Sequence, residues 1–224
     1  MGADDCVRTA VFFGGEAMKM KILSRTAAAV AVLLAAGVSQ AATITASNGG
    51  SVIASPATVG EDDPTNRSIE AFNEIVGYTL LADLAVDGGV ISAGTIVDSH
   101  MIFLNTAGST DVTATATFSF SERIIGIMSE TNGANMFASD SFLGGPVTYV
   151  AGGNYGSNRG LENAATDFVQ FVDLFTIDVG MRVTEPGDWV RVVTVSAVPL
   201  PAGMLLLPTG LAGLAFMRRR RKAA

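Results

Sequence analysis

From residue 42 onward the chain alternates between apolar and polar positions. Over 111–121, Val112, Ala114, Ala116, Phe118 and Phe120 fall on one face, with Thr113, Thr115, Thr117, Ser119 and Ser121 on the other. A period of two with hydroxyls on the second face predicts a half-buried strand with one wet side. The stretch 174–184 repeats the pattern, with Phe175, Ile177, Val179, Met181 and Val183 inward against Thr176, Asp178 and Arg182. So does 188–198, through Trp189, Val193 and Val195. Shorter apolar runs at 75–86, 95–104, 123–128 and 146–151 bring the expectation to about eight to ten strands. Turn formers separate them: Asn48-Gly49-Gly50, Asp87-Gly88-Gly89, Asn132-Gly133, Gly152-Gly153-Asn154 and Pro186-Gly187-Asp188. Helix signals are few: a turn or two over 162–167, and a short helix over 68–74 leading into a strand. The pattern predicts an all-β domain over 42–197, a single antiparallel β-sandwich of jelly-roll type.

The alternation fails at both ends. Met18-Lys19-Met20-Lys21 and Arg25 precede the apolar run TAAAVAVLLAAGV at 26–38 and then Ser39-Gln40-Ala41. A basic start, a short apolar core and small residues at Ser39 and Ala41 predict a signal peptide over 18–41, cut by signal peptidase between Ala41 and Ala42. Residues 1–17 carry Asp4, Asp5 and Glu16, out of place in a basic leader, and read as an extension ahead of a start at Met18 or Met20.

At the other end, 200–217 is uncharged, about 27 Å long as a helix, against a hydrocarbon core of about 30 Å. Arg218, Arg219, Arg220, Arg221 and Lys222 follow and predict a cytoplasmic stop. With the leader, this places the middle of the chain outside the inner membrane and the C-terminus inside. Ahead of the span stands Val198-Pro199-Leu200-Pro201-Ala202, whose prolines hold an extended peptide suited to recognition by a protease. The V-P-x-P-A stretch, the apolar span with Leu and Gly and the terminal Arg cluster resemble the PEP-CTERM sorting signal of Gram-negative bacteria, in its VPLPA-CTERM variant. That resemblance implies recognition by exosortase, cleavage near Pro201 or Ala202, a transient anchor, and an association with exopolysaccharide. Pro208 in mid-span leaves the motif intact.

Charge sharpens the reading of the middle. Residues 42–198 hold 18 acidic side chains against five arginines and no lysine, a net charge of −13. Nucleic acid is excluded as a partner on that balance, since phosphate contacts need a basic face. Cations and neutral glycans are better matched. The single cysteine, Cys6, precedes the leader, so the middle has neither a disulfide nor thiol chemistry. His100 is the only histidine, which leaves a zinc site without ligands and a Ser-His-Asp triad without a G-x-S-x-G serine. No phosphate loop, dinucleotide fingerprint or EF-hand loop is present. No metal or cofactor is therefore expected, apart from Ca²⁺.

Four groups of side chains merit testing against a structure. Asp98 and His100, two apart on a strand, share a face about 7 Å apart and read either as a small polar site or as a histidine satisfied within the fold. Glu61, Asp62 and Asp63 with Asn66 offer oxygens to Ca²⁺, or form a solvated loop. Glu162, Asp167 and Asp173 are candidates for a glycosidase pair, with scattered surface acids as the alternative. Trp189 and Tyr155 are candidates for stacking on sugars, with Trp189 read mainly as core. The middle also resembles a group of secreted bacterial β-proteins, through AFNE at 71–74, ISAGTIVDSH at 91–100, FSERIIGIMS at 120–129, RGLE at 159–162 and PGDWVRVVT at 186–194. The expectation is a secreted, non-enzymatic β-protein with a structural, adhesive or exopolysaccharide-associated role. A secreted glycan hydrolase and a Ca²⁺-dependent glycan-binding module are the alternatives.

Overall fold

The computed structural model describes residues 42–60, 65–149, 159–184 and 187–197. The extension, the leader up to Ala41, the VPLPA motif, the apolar span and the basic stop lie outside the described residues, as do Glu61, Asp62, Asp63 and Tyr155. Among the described residues no helix is long and apolar enough to cross a membrane.

The chain is mostly β, as the alternation predicts. Thirteen strands form among the described residues, more than the eight to ten expected because short two- to four-residue pairings join the long ones: β1 (Ile44–Ser47), β2 (Ser51–Val52), β3 (Thr58–Val59), β4 (Glu70–Thr79), β5 (Leu84–Val86), β6 (Gly89–Ile91), β7 (Ile96–Leu104), β8 (Val112–Phe120), β9 (Ile124–Met128), β10 (Thr148–Tyr149), β11 (Phe168–Phe171), β12 (Thr176–Val183) and β13 (Asp188–Val195). They assemble into a four-stranded sheet, β1-β8-β12-β11, and a five-stranded sheet, β2-β4-β7-β13-β9. The long ladders are antiparallel, and β2–β4 and β3–β10 are short parallel pairs. β5 and β6 make a hairpin around Asp87-Gly88.

One apolar cluster draws on both main sheets. Phe118 and Phe120 of β8 and Ile177 and Val179 of β12 meet Ile102 and Leu104 of β7 and Val190 and Val192 of β13. A second cluster lies on the other face of the five-stranded sheet, where Phe72, Met101, Phe103, Trp189 and Val193 pack with Met136 and Leu143. β7 and β13 are consequently buried on both faces, one parity facing each cluster. This is why 95–104 reads as an apolar run with embedded polar residues, whereas β8, covered on one side only, alternates cleanly.

Two expectations are corrected. Residues 68–74 do not form a helix; 70–79 is strand β4, paired with β7. Tertiary pairing with a buried strand overrides the local propensity of Ser68 to Glu74. A helix does form over Ala134–Leu143, α1, where only the turn at Asn132-Gly133 was expected. Gly133 enters it in the left-handed region, at φ 60°, and Asn132 Oδ1 accepts from the Ala134 N–H. Its buried residues are Met136, Ser139 and Leu143, spaced at three and four and covering the second cluster.

Candidate functional site

The carboxylates of Glu162, Asp167 and Asp188 come together beside an open pocket of about 420 Å³, lined by Glu162 and Asp188 together with Asn163, Arg182, Thr184 and Gly187. Their oxygens lie within 4.8 Å of one another. Asp188 opens β13 and points along the parity of Val190 and Val192. Asp167 ends a turn over 164–166 in which Asn163 O accepts from the Thr166 and Asp167 N–H groups. The turn is fastened by Asp167 itself: Oδ2 accepts from the Asn163 N–H at 2.7 Å, and Oδ1 from the Arg182 N–H at 2.7 Å. Glu162 reaches the pocket because Gly160 and Leu161 pair with the backbone at Thr131 and Ser129.

Electrostatics marks this pocket out. Asp188 is 1% exposed, and its Oδ2 has no hydrogen-bond partner among the described residues. Burial, together with the charges of Glu162 and Asp167, pushes its carboxyl up to about 9. Burial and the Asp167 charge push Glu162 up to about 7. Three carboxylates in one partly dry cluster repel one another, and a bound cation or shared protons relieve that repulsion. Among the described residues no aromatic side chain is in the pocket's wall. Asp173 is not part of the group; it sits in the β11–β12 turn, where Oδ1 accepts from the Phe175 N–H.

Asp98 and His100 share the parity facing the first cluster, yet no hydrogen bond joins them. His100 Nδ1 lies 2.7 Å from Asn73 Oδ1 and Nε2 lies 3.0 Å from Thr194 Oγ1, so both ring nitrogens are engaged. Burial lowers the imidazole to about 4, against the raising effect of Asp98 and Glu74, and the ring is neutral at pH 7. Asp98 instead accepts from backbone: Oδ1 from Gly77 N–H at 2.8 Å and Oδ2 from Ala42 N–H at 3.0 Å. Trp189 is buried in the second cluster. Asn66 is tied to the fold, with Oδ1 accepting from the Asn105 N–H and Nδ2 donating to Glu70.

A second polar assembly was not legible in the sequence. Arg191 of β13 is fully buried and spends all five N–H groups: Nε and Nη2 on Glu74, Nη2 also on Asp140, and Nη1 on Met136 O and Ser139 Oγ. Glu74 also accepts from Ser99 Oγ and Tyr149 Oη. Arg159 makes a two-point pair with Asp140 at 2.8 and 3.1 Å, and both guanidinium groups lie over the Tyr149 ring. Glu74 faces Arg191 because it is the extra residue of a β-bulge: Asn73 pairs with His100 and Ile75 with Ser99. The assembly joins β4, β7, β13, α1 and β10, and its register explains its existence better than any catalytic task.

The outer face of the four-stranded sheet is the other notable surface. Across it run the rows Ser47–Thr117–Asp178 and Thr45–Ser119–Thr176, followed by Thr115 and Thr113. The Phe168 ring of β11 covers Gly180 on the same face and is 40% exposed. No protein-family model, curated protein or solved structure matches this chain.

Proposed function

We propose that this is an exported cell-surface or extracellular-matrix protein of a Gram-negative bacterium, cut at both ends and non-enzymatic, whose domain is a jelly-roll-like β-sandwich with an adhesive or exopolysaccharide-associated role. One observation carries the structural part. The outer face of β1, β8 and β12 is a regular array of hydroxyls bordered by the exposed Phe168 ring. Polar rows beside an aromatic face match a neutral, hydroxyl-rich polymer, and the domain's net negative charge selects against polyanions. The sandwich reading is supported by the apolar cluster common to the two main sheets. The leader and the VPLPA tail supply the route, with signal peptidase and exosortase as processing enzymes.

Intact mass of the protein from the surface fraction tests the route. The expected chain begins at Ala42 and lacks the residues after about Ala202, the position that the resemblance to the VPLPA-CTERM signal implies. Recovery of full-length chain, Arg218 to Lys222 included, from a strain with active exosortase would overturn the sorting reading.

The pocket favours a second reading, a Ca²⁺-dependent module. Asp188 Oδ2 is buried, unpartnered and aimed at Glu162 and Asp167, an oxygen set that suits a hard divalent cation. Millimolar Ca²⁺ is then expected to raise the melting temperature by roughly 5–10 °C when it saturates the site, and Asp188→Asn should abolish the shift. A melting curve indifferent to Ca²⁺ would remove this reading and leave the three acids sharing protons.

A further inference from the structure

We infer that Asp98 is the built-in counter-ion for the α-ammonium of a chain beginning at Ala42, so that removal of the leader completes the fold. The inference rests on the export reading but adds a consequence for the protein itself.

Ala42 is 1% exposed and Asp98 fully buried. They are held together from both sides. Thr43 is fixed by its N–H to Ser121 Oγ at 2.9 Å and by the Ser121 N–H to Thr43 O at 3.0 Å, directly ahead of β1. Asp98 stands in β7 opposite the second irregularity of β4, between the pairs Ile75–Ser99 and Tyr78–Val97, where Gly77 turns at φ 68° and donates to Oδ1. Oδ2 is left for the Ala42 nitrogen, 3.0 Å away.

Among the described residues the carboxylate has no side-chain cation. None of the four salt bridges among the described residues includes it, and residues 42–198 contain no lysine. His100, two residues along, is neutral at pH 7. In the uncut chain the Ala42 nitrogen is an amide and offers one N–H without charge. Hydrolysis adds water across the Ala41–Ala42 bond, leaving a carboxylate on Ala41 and an amine on Ala42 that is protonated at neutral pH. The same nitrogen then carries a full positive charge and up to three N–H groups, at hydrogen-bond distance from a buried carboxylate. Desolvating two charges usually offsets their attraction. Here the carboxylate is buried before the cut, so only the ammonium contributes a new desolvation cost.

The chain cut at Ala42 but recovered from a strain without exosortase, so that the tail with Lys222 is kept, tests this without any variant. With Lys19 and Lys21 gone, its amines are the Ala42 α-amine and Lys222. Treated in the native state with an amine-acetylating reagent, Lys222 is expected to react while the Ala42 amine is protected. In urea both should react, and the doubly acetylated chain, refolded, should melt roughly 5–10 °C below the chain acetylated at Lys222 alone. Asp98→Asn should expose the Ala42 amine to reagent in the native state. A native Ala42 amine that reacts as fast as Lys222, or two acetylated forms with equal melting temperatures, would overturn the inference. A chain whose unlabelled mass places its start elsewhere overturns the cleavage reading, and the inference with it, before any labelling. A chain starting at Ala42 with a freely reactive amine overturns the inference alone.

Discussion

Arg191→Ala is expected to cost about 3–5 kcal/mol of folding stability, a large part of the roughly 5–15 kcal/mol available to a domain. The guanidinium is buried with all five N–H groups used, on Glu74, Asp140, Met136 O and Ser139 Oγ. Removing it leaves the fully buried Glu74 carboxylate with only Ser99 and Tyr149 as donors. Burial pushes Glu74 up, and the charge and hydrogen bonds of Arg191 outweigh this and hold its carboxyl below the ordinary value of 4.5. The sign follows: this stabilisation is present above about pH 4.5 and is lost as the pH falls through the folded value. Urea denaturation at pH 7 is the measurement, with the midpoint falling and the slope unchanged. The double variant Glu74→Gln, Arg191→Met should recover part of the loss, because the uncompensated charge is gone. Equal losses in the single and double variants would show that shape, not charge, is what the network supplies.

Gly160→Ala should be nearly as damaging, at about 3 kcal/mol or more. A Cβ on Gly160 would stand 1.9 Å from Glu130 O and 2.7 Å from Ser129 O. Both are backbone atoms, so no side-chain rotation makes room. The segment 159–162 would have to move, straining the Gly160–Thr131 and Leu161–Ser129 hydrogen bonds. Arg159 at one end is tied to Asp140, and Glu162 at the other lines the acidic pocket. The substitution is therefore expected to lower the melting temperature and to weaken any cation effect together. Gly89→Ala is the control: it has ordinary backbone and nothing within 4 Å of the added methyl group, and should change stability by less than about 0.5 kcal/mol. A Gly160→Ala protein that melts with the control would show that 129–131 and 159–162 are not packed together.

The stretches quoted for the resemblance to secreted β-proteins hold many of the polar residues that the fold brings together. Asn73 and Glu74 lie in AFNE, Asp98 and His100 in ISAGTIVDSH, Arg159 and Glu162 in RGLE, and Asp188 and Arg191 in PGDWVRVVT. Each stretch was visible in the sequence, and none announced its partner. Asp188 meets Glu162 from a separate strand, and Arg191 reaches back to Glu74 across β7. The helix over Ala134–Leu143 escaped notice because its buried residues include Ser139, which is polar and is held by Arg191, Met128 Sδ and the Met136 and Asn135 carbonyls.

By itself the sequence determined the mostly β character of the domain and the hydroxyl face of β8, because a period of two is a local property written into neighbouring residues. It also placed Asp98 and His100 on one face of a strand, for the same reason. Only the tertiary structure decided what those residues meet. Asp98 found the Ala42 nitrogen rather than the imidazole, and Glu74 turned toward Arg191 through a bulge. Strand register sets such partnerships, and a single inserted residue in β4 redirects every side chain beyond it.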